Sequence, residues 1–185
     1  MGKGKIATVL VILIVGLTAG YFFYHDYAQG SVTLSITDPP GGNGGNPHYN
    51  STILHIYVTF VGFQIHQAGI GSTNDTGWHS IVGLPTTIDM LSVLATSRTL
   101  ATANLATGSY DQLRFPISTA VVTFSTVGNV TYTVPSGSFK VSITGGGFQS
   151  SPGTQIKLLL TISFNDAEIL AMNGMLTPHA TATVS

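Results

Sequence analysis

Cysteine is absent from this chain of 185 residues, and charged residues make up only 7% of it. Without cysteine no disulfide forms, so a folded domain must be stabilised by core burial and backbone hydrogen bonds. Average soluble proteins carry about 25% charged residues, so the surface here must be polar with little charge. After residue 30, four basic side chains stand against six acidic ones, which gives phosphates no basic stripe. The composition therefore excludes a disulfide scaffold and predicts no nucleic-acid partner.

One long apolar run is present, from Ile6 to Phe23. As a helix it would extend about 27 Å, close to the hydrocarbon core of a bilayer at about 30 Å. Lys3 and Lys5 precede the run, and positive charge before a span favours a cytoplasmic amino terminus. Residues 6–23 are therefore predicted to cross the cell membrane once, with the remaining chain outside.

Two other interpretations of residues 1–30 stay open. The sequence Ala28-Gln29-Gly30 would also end a cleavable secretory signal, and the domain would then be secreted. The third interpretation is a processed pilin with this run in its filament core. A pilin would need a longer helix that continues into the head domain. Aromatic residues between Tyr21 and Tyr27 are typical of an outer membrane interface and favour retention. We divide the chain into a signal or anchor segment, 1–30, and an extracytoplasmic domain, 31–185.

Short alternating segments separated by Gly, Pro, Ser or Asn fill the domain. Residues 32–37 alternate apolar with hydroxyl side chains, which predicts a strand with one buried face. Thr52 to Gln67 is predicted as one long strand with a bulge at Gly62. Thr99 to Leu105 is predicted as an edge strand, and Pro116 predicts a bend. The pattern favours an all-β fold, an antiparallel β-sandwich of about nine strands.

Local catalytic and metal-binding motifs are missing from the sequence. The six histidines show neither an i, i+4 pair nor HExxH, the usual signals for zinc. No GxSxG surrounds a serine, and no Asp-x-Asp-x-Asp loop indicates calcium. Asp38 precedes two prolines and is interpreted as a turn residue. We expect no enzymatic activity, no cofactor and no metal site.

Aromatic residues offer the main candidates for ligand binding. Trp78 is the sole tryptophan, and Tyr57, Tyr110 and Tyr132 lie in predicted strands or beside them. Such rings would stack on sugar rings while hydroxyls and amides bind the sugar edges. The alternative, which we favour, is that Trp78 closes one end of the sandwich.

Three glycosylation sequons begin at Asn50, Asn74 and Asn129. Two fall in predicted loops and one beside a turn, where a glycan is tolerated. If the domain lies outside the cell, these asparagines are candidate modification sites.

Together these patterns favour a non-enzymatic cell-surface protein with a structural or adhesive role. One alternative is a carbohydrate-binding module for surface polysaccharide. Another is a filament subunit in which Ser31 to Asp38 completes the sheet of a neighbouring surface protein, although pairing within the chain is favoured.

Several segments in order resemble the exported domain-of-unknown-function family 4382. They are Ser35-Ile-Thr-Asp-Pro-Pro40, Ile56-Tyr-Val-Thr-Phe60 with Ile65-His66, Gly77-Trp78, Ile88-Asp-Met-Leu91, Leu105-Ala-Thr-Gly-Ser-Tyr-Asp-Gln-Leu-Arg-Phe115, Val134-Pro-Ser-Gly137 and Leu176-Thr-Pro178. The resemblance implies a secreted or membrane-anchored β domain, and it carries no established activity or catalytic residues. This chain lacks a lipobox cysteine, which leaves the helix as its anchor.

Overall fold

The computed structural model describes residues 3–27, 29–39, 49–69, 76–135 and 138–185, with the side chains of the first helix from residue 10 to residue 23. In these ranges a long helix precedes thirteen strands. A 3-10 helix and a short α-helix lie between strands. The elements are α1 (Lys3–Tyr27), β1 (Gly30–Thr37), β2 (Ile53–Phe60), β3 (Phe63–Gln67), β4 (Trp78–Val82), β5 (Thr86–Asp89), η1 (Met90–Val93), β6 (Ser97–Leu105), β7 (Gly108–Phe115), β8 (Ile117–Phe124), β9 (Gly128–Tyr132), β10 (Phe139–Ser142), β11 (Phe148–Ser150), β12 (Gln155–Phe164), α2 (Asp166–Leu170) and β13 (Pro178–Val184). The prediction of a mainly β fold is confirmed, while the expected number of about nine strands is wrong.

The first sheet has the strand order β13-β12-β1-β6. In β1 the predicted alternation is confirmed, because Val32, Leu34 and Ile36 are buried between half-buried neighbours. β1 runs antiparallel to β6 but parallel to β12, so the prediction of a purely antiparallel fold is wrong here. Parallel neighbours need a long crossover connection. In this chain the crossover contains β2 to β11, which no local pattern reveals.

Two further sheets meet at a shared corner. Their strand orders are β10-β7-β3-β4, with β11 also paired to β7, and β5-β2-β8-β9. β2 leads into β3 through Val61 and Gly62, while β7 leads into β8 through Pro116. The N–H of Val61 donates to the carbonyl of Pro116 over 2.9 Å, so both connections bend at one place. The bend at Pro116 is confirmed, whereas the single bulged strand from Thr52 to Gln67 is wrong.

Gly62 is required at this corner by a close backbone approach. A Cβ on this residue would lie 2.7 Å from the carbonyl oxygen of Val82, well inside contact distance. Pro116 has no N–H to donate to a ladder, which makes it compatible with the end of a strand. The two residues therefore direct the chain from one sheet into the other.

One hydrophobic core joins residues from all three sheets. At the corner Phe60, Phe63 and Phe115 are fully buried, and their ring centroids lie 5.0 to 6.1 Å apart. Buried aromatic rings each remove about 150 to 250 Å² from water. This cluster of three rings therefore packs the two sheets together where the chain passes between them.

The helix α1 presents apolar side chains to its surroundings. Leu10 is 58% exposed, Leu17 70% and Phe23 67%. In the described part of the chain, no helix combines the length and the apolarity needed to cross a membrane. The membrane span of residues 6–23 stays a prediction.

Candidate functional site

Trp78 lies on the outer face of the sheet formed by β10, β7, β3 and β4. Its cross-strand partner on β3 is His66, whose neighbour Ile65 points into the core. Arg114 on β7 pairs with Gln64 on β3 and with Lys140 on β10. Because paired residues share a face, His66, Trp78, Gln64, Arg114 and Lys140 form one cluster, which we call the tryptophan cluster.

Two cations lie against the half-buried indole of Trp78. The Arg114 guanidinium carbon is 4.5 Å from the ring centroid and the Lys140 Nζ is 5.7 Å from it. Cations within about 6 Å of an indole are attracted to its π-system by about 0.5 to 2 kcal/mol. The Nε of Arg114 also donates to Gln64 Oε1 over 2.5 Å. The indole thus already contacts two cations of its own sheet, and its role in ligand binding stays a prediction.

His66 supports the indole from the β3 side. It is only 3% exposed, and its ring centroid lies 5.1 Å from that of Trp78. Its Nδ1 lies 2.8 Å from Asp111 Oδ1, and a carboxylate can only accept in such a bond, so Nδ1 donates. The indole Nε1 is buried and has no acceptor among the described residues. The cluster therefore holds Trp78 in one orientation.

Gly77 sets the approach of Trp78 to His66. Its φ is +81°, and a Cβ there would lie 3.2 Å from His66 Nε2. We expect Gly77→Ala to destabilise the fold by about 2 to 3 kcal/mol, since left-handed strain costs about 1 to 2 kcal/mol and His66 must also shift. Urea unfolding followed by the fluorescence of the sole tryptophan measures this change.

Gly69 provides the matched control for that substitution. Its φ is +84°, but a Cβ there meets nothing within 4 Å. Gly69→Ala should therefore show only the backbone strain, about 1 to 2 kcal/mol, with unchanged native emission. Equal losses and equal emission spectra for the two variants would contradict the proposed contact with His66.

Tyr57 lies in a second cluster on another sheet. Its side chain is 37% exposed and stacks on His55, with ring centroids 5.2 Å apart. The Nδ1 of His55 is 2.7 Å from Asp89 Oδ2, while Asp89 Oδ1 accepts the N–H of Leu91 at the start of η1. The structure therefore does not bring Tyr57 and Trp78 into one site.

Tyr110 and Tyr132 are core residues, which corrects their prediction as stacking rings. They are 0% and 1% exposed, and burial raises the pKa of both phenols. Their hydroxyls donate to the carbonyls of Ala106 over 3.0 Å and Ile169 over 2.6 Å. A ring enclosed in the core offers no face to a sugar.

The described sequon asparagines are exposed. Asn50 Oδ1 accepts from the backbone N–H and the hydroxyl of Thr52, and Asn129 Oδ1 accepts from Thr123 Oγ1 over 2.8 Å. Asn74 lies outside the described residues. Glycosylation at the three positions stays a prediction.

Asp38 is a buried carboxylate, although its sequence context predicts a turn. It is 0% exposed, and its backbone pairs with Val93 and Ala95. The Tyr49 hydroxyl donates to Asp38 Oδ2 over 2.5 Å and accepts the N–H of Phe164 over 3.2 Å. Burial raises the pKa of Asp38 to about 7, against the lowering effect of the Tyr49 hydrogen bond. Burial, followed by the nearby Asp38 charge, also raises the pKa of Tyr49.

The alternation of β1 contains a signal for this burial that sequence analysis missed. Val32, Leu34 and Ile36 point inward, and the next inward position with period 2 is residue 38. The two prolines after it had favoured a turn instead. Within the described ranges, no three metal-ligating side chains come together. His55 lies beside Asp89 and His66 beside Asp111.

Comparison with known protein families places these features in context. A family model described as Domain of unknown function (DUF4382) matches residues 29–173. The chain belongs to this family. No curated protein and no solved structure gives a significant match. The DUF4382 region begins one residue before β1 and ends after α2, so it contains the tryptophan cluster, Asp38 and Tyr49. The helix α1 and the strand β13 lie outside it.

Proposed function

We propose that this protein is a non-enzymatic cell-surface β-sandwich with a structural or adhesive role, held at the membrane by residues 6–23. The observation that carries the proposal is the exposure of apolar side chains along α1, such as Leu10 and Leu17. Leaving apolar surface in water costs about 25 cal/mol per Å², and large exposed apolar patches mark contact with membranes or partners. A bilayer would cover this helix.

The features of the β domain support a structural or adhesive role more than a catalytic one. One core connects its three sheets, as in a sandwich, and β1 starts close after α1. Hydroxyl side chains pair across strands on the outer faces, for example Thr33 with Thr102 at 2.9 Å and Thr59 with Thr87 at 2.8 Å. Contacts made by such uncharged groups are weakly affected by salt. This property fits a protein that works at an exposed surface.

The strand-exchange alternative is less well supported. β1 lies between β6 and β12 of its own chain, paired along its length on both sides. Donating β1 to a neighbour would remove a central strand and expose Val32, Leu34 and Ile36, which are buried here. These contacts support intramolecular pairing of β1 over strand exchange.

Cell fractionation tests the proposal. We expect the full chain to sediment with membranes, to resist extraction by alkaline carbonate and to dissolve in detergent. Protease added to intact cells should remove the β domain. A double variant, Leu13→Lys with Leu17→Lys, should lose membrane retention, because a lysine near the centre of a span costs about 2.5 to 3.5 kcal/mol.

The matched control places the charges in the domain, with Thr119→Lys and Thr131→Lys at exposed strand positions. This variant should stay with the membranes. Carbonate extraction of the wild-type chain, or protection of the β domain in intact cells, would show that the proposed anchoring or topology is wrong.

A further inference from the structure

The outer face of the first sheet carries an array of many hydroxyl side chains, with Gln155, Lys157 and Leu159 of β12 standing among them. Along β1 the hydroxyls stand at every second position, and the neighbouring strands supply more at the paired positions. The array consists of Ser31, Thr33, Ser35, Thr37, Ser97, Thr99, Thr102, Thr161, Ser163, Thr181 and Thr183. We call it the hydroxyl face. At one level of the sheet, Ser97, Thr37, Thr161 and Thr181 follow one another across all four strands.

The hydroxyls that pair across strands retain hydrogen-bonding capacity for a ligand, whereas the Thr37 hydroxyl donates to backbone carbonyls of Val93 and Thr96. Thr33 Oγ1 lies 2.9 Å from Thr102 Oγ1, and Ser35 Oγ lies 3.3 Å from Thr99 Oγ1. Each hydroxyl has one donor and two acceptor positions, so such a pair still offers one donor and three acceptors. The threonine methyl groups stand beside them and present small apolar patches. This mixture of groups complements sugars, which have polar edges and apolar C–H faces.

The hydroxyl face is almost uncharged. Its four strands are described over their whole length, and in them Lys157 is the charged residue on this face, opposite Thr33 in the register. His179 lies at the far end, opposite Ser163. A neutral surface of this kind matches an uncharged partner, whereas a phosphate-rich or acidic polymer would need several cations.

Two hollows mark the ends of the face. One, of about 200 Å³, is lined by Ser31, Asn104 and Gln155 among others. The other, of about 330 Å³, is lined by Thr161, Ser163 and His179 among others. From Ser31 to Thr37 the strand advances about 20 Å, so the hollows are separated by most of the length of the sheet. The first is smaller than the pockets of about 300 to 1,000 Å³ that enclose a ligand, and the second lies at the lower end of that range.

We infer that the hydroxyl face binds a linear, uncharged polysaccharide that lies along β1 and places sugar units in both end hollows. The inference rests on the proposed function, because the domain must be outside the cell to meet such a polymer. It also assigns sugar recognition to hydroxyl groups of the first sheet, away from Trp78 and Tyr57.

Pull-down with insoluble polysaccharides tests this site. The full chain in detergent is mixed with microcrystalline cellulose, with chitin, or with cross-linked pectate as an acidic probe. We expect binding to a neutral polymer, with little change between low and high salt. Thr33→Val with Thr102→Val should weaken it about tenfold, since each lost hydroxyl removes hydrogen bonds to the ligand. Valine keeps the shape and suits a strand.

Thr59→Val with Thr87→Val is the matched control. It removes an equivalent cross-strand hydroxyl pair, 2.8 Å apart, from another sheet, and it should bind like the wild type. Equal weakening of both double variants, binding only to pectate, or loss of binding on Trp78→Ala alone would overturn the inference. So would a wild-type chain that binds neither neutral polymer. Such a result leaves cell fractionation to decide the proposed function separately.

Discussion

Raising the pH from 4 to 8 should lower the free energy of unfolding by about 4 kcal/mol through Asp38 alone. In the folded chain burial raises the pKa of this carboxyl to about 7 from its ordinary value of 3.8. Each unit of difference between the folded and unfolded pKa corresponds to about 1.4 kcal/mol.

The direction of the change follows from proton binding. Below about pH 3.8 the carboxyl is protonated in both states and has no differential effect. Between that value and about 7, the folded state keeps the proton while the unfolded state loses it, so stability falls as pH rises. Above about 7 the buried side chain is ionised and the full penalty remains. The contribution of Asp38 should therefore favour the folded state at pH 4 over pH 8.

Asp38→Asn isolates this contribution. Asparagine can still accept the hydrogen bond from Tyr49 but has no charge, so the variant should match the wild type near pH 4 and exceed its stability at pH 8. Urea unfolding at a series of pH values, followed by Trp78 fluorescence, measures the difference. Asp166→Asn is the control. It removes a half-buried carboxylate that accepts the Asn50 N–H, and this variant should show the same fall in the free energy of unfolding between pH 4 and pH 8 as the wild type. Parallel pH curves for Asp38→Asn and the wild type would contradict the assignment.

Phe115→Ala should destabilise the domain by about 3 to 5 kcal/mol, the usual range for removing a fully buried phenylalanine. Its ring contacts Phe60 and Phe63 at the corner, where the chain changes sheets. Thermal and urea unfolding of the full chain measure the loss.

Phe139→Ala is the matched control for that substitution. Phe139 pairs with Phe115 across β10 and β7 and stacks on it at 5.9 Å, but it is only partly buried. Its removal should cost about 1 to 2 kcal/mol, since less apolar surface is returned to water. A Phe115→Ala loss no larger than that of Phe139→Ala would mean that the corner cluster is not the main packing contact.

Local sequence pattern identified many of the strands. The alternation in residues 32–37 predicted both β1 and its buried face, and Pro116 predicted a bend that the structure contains. The Gly62 region shows where this reasoning stops. In the sequence, a bulge within one strand and a corner between two sheets look alike, because both move the apolar residues from even to odd positions. The strand pairing distinguishes them, because β2 pairs with β5 and β8 whereas β3 pairs with β4 and β7.

The pairing of strands that are distant in the sequence could not be predicted either. The parallel contact between β1 and β12 depends on the path of all the intervening strands, and no residue in either strand signals it. Trp78 was found as a candidate because it is the sole tryptophan, but the cations that contact it come from β7 and β10. Residue type alone does not distinguish Tyr110 and Tyr132, which are buried, from an exposed tyrosine. Their burial follows from the register of their strands, which the sequence alone does not give.

The short connection between α1 and β1 has a mechanical consequence. α1 ends at Tyr27 and β1 begins at Gly30, so tension along the helix enters the domain through the middle strand of a sheet. β1 is hydrogen-bonded to β6 on one side and to β12 on the other. A pull along its axis loads both ladders in shear, and their bonds must break together. A strand at an edge would unzip one bond at a time under a much smaller force.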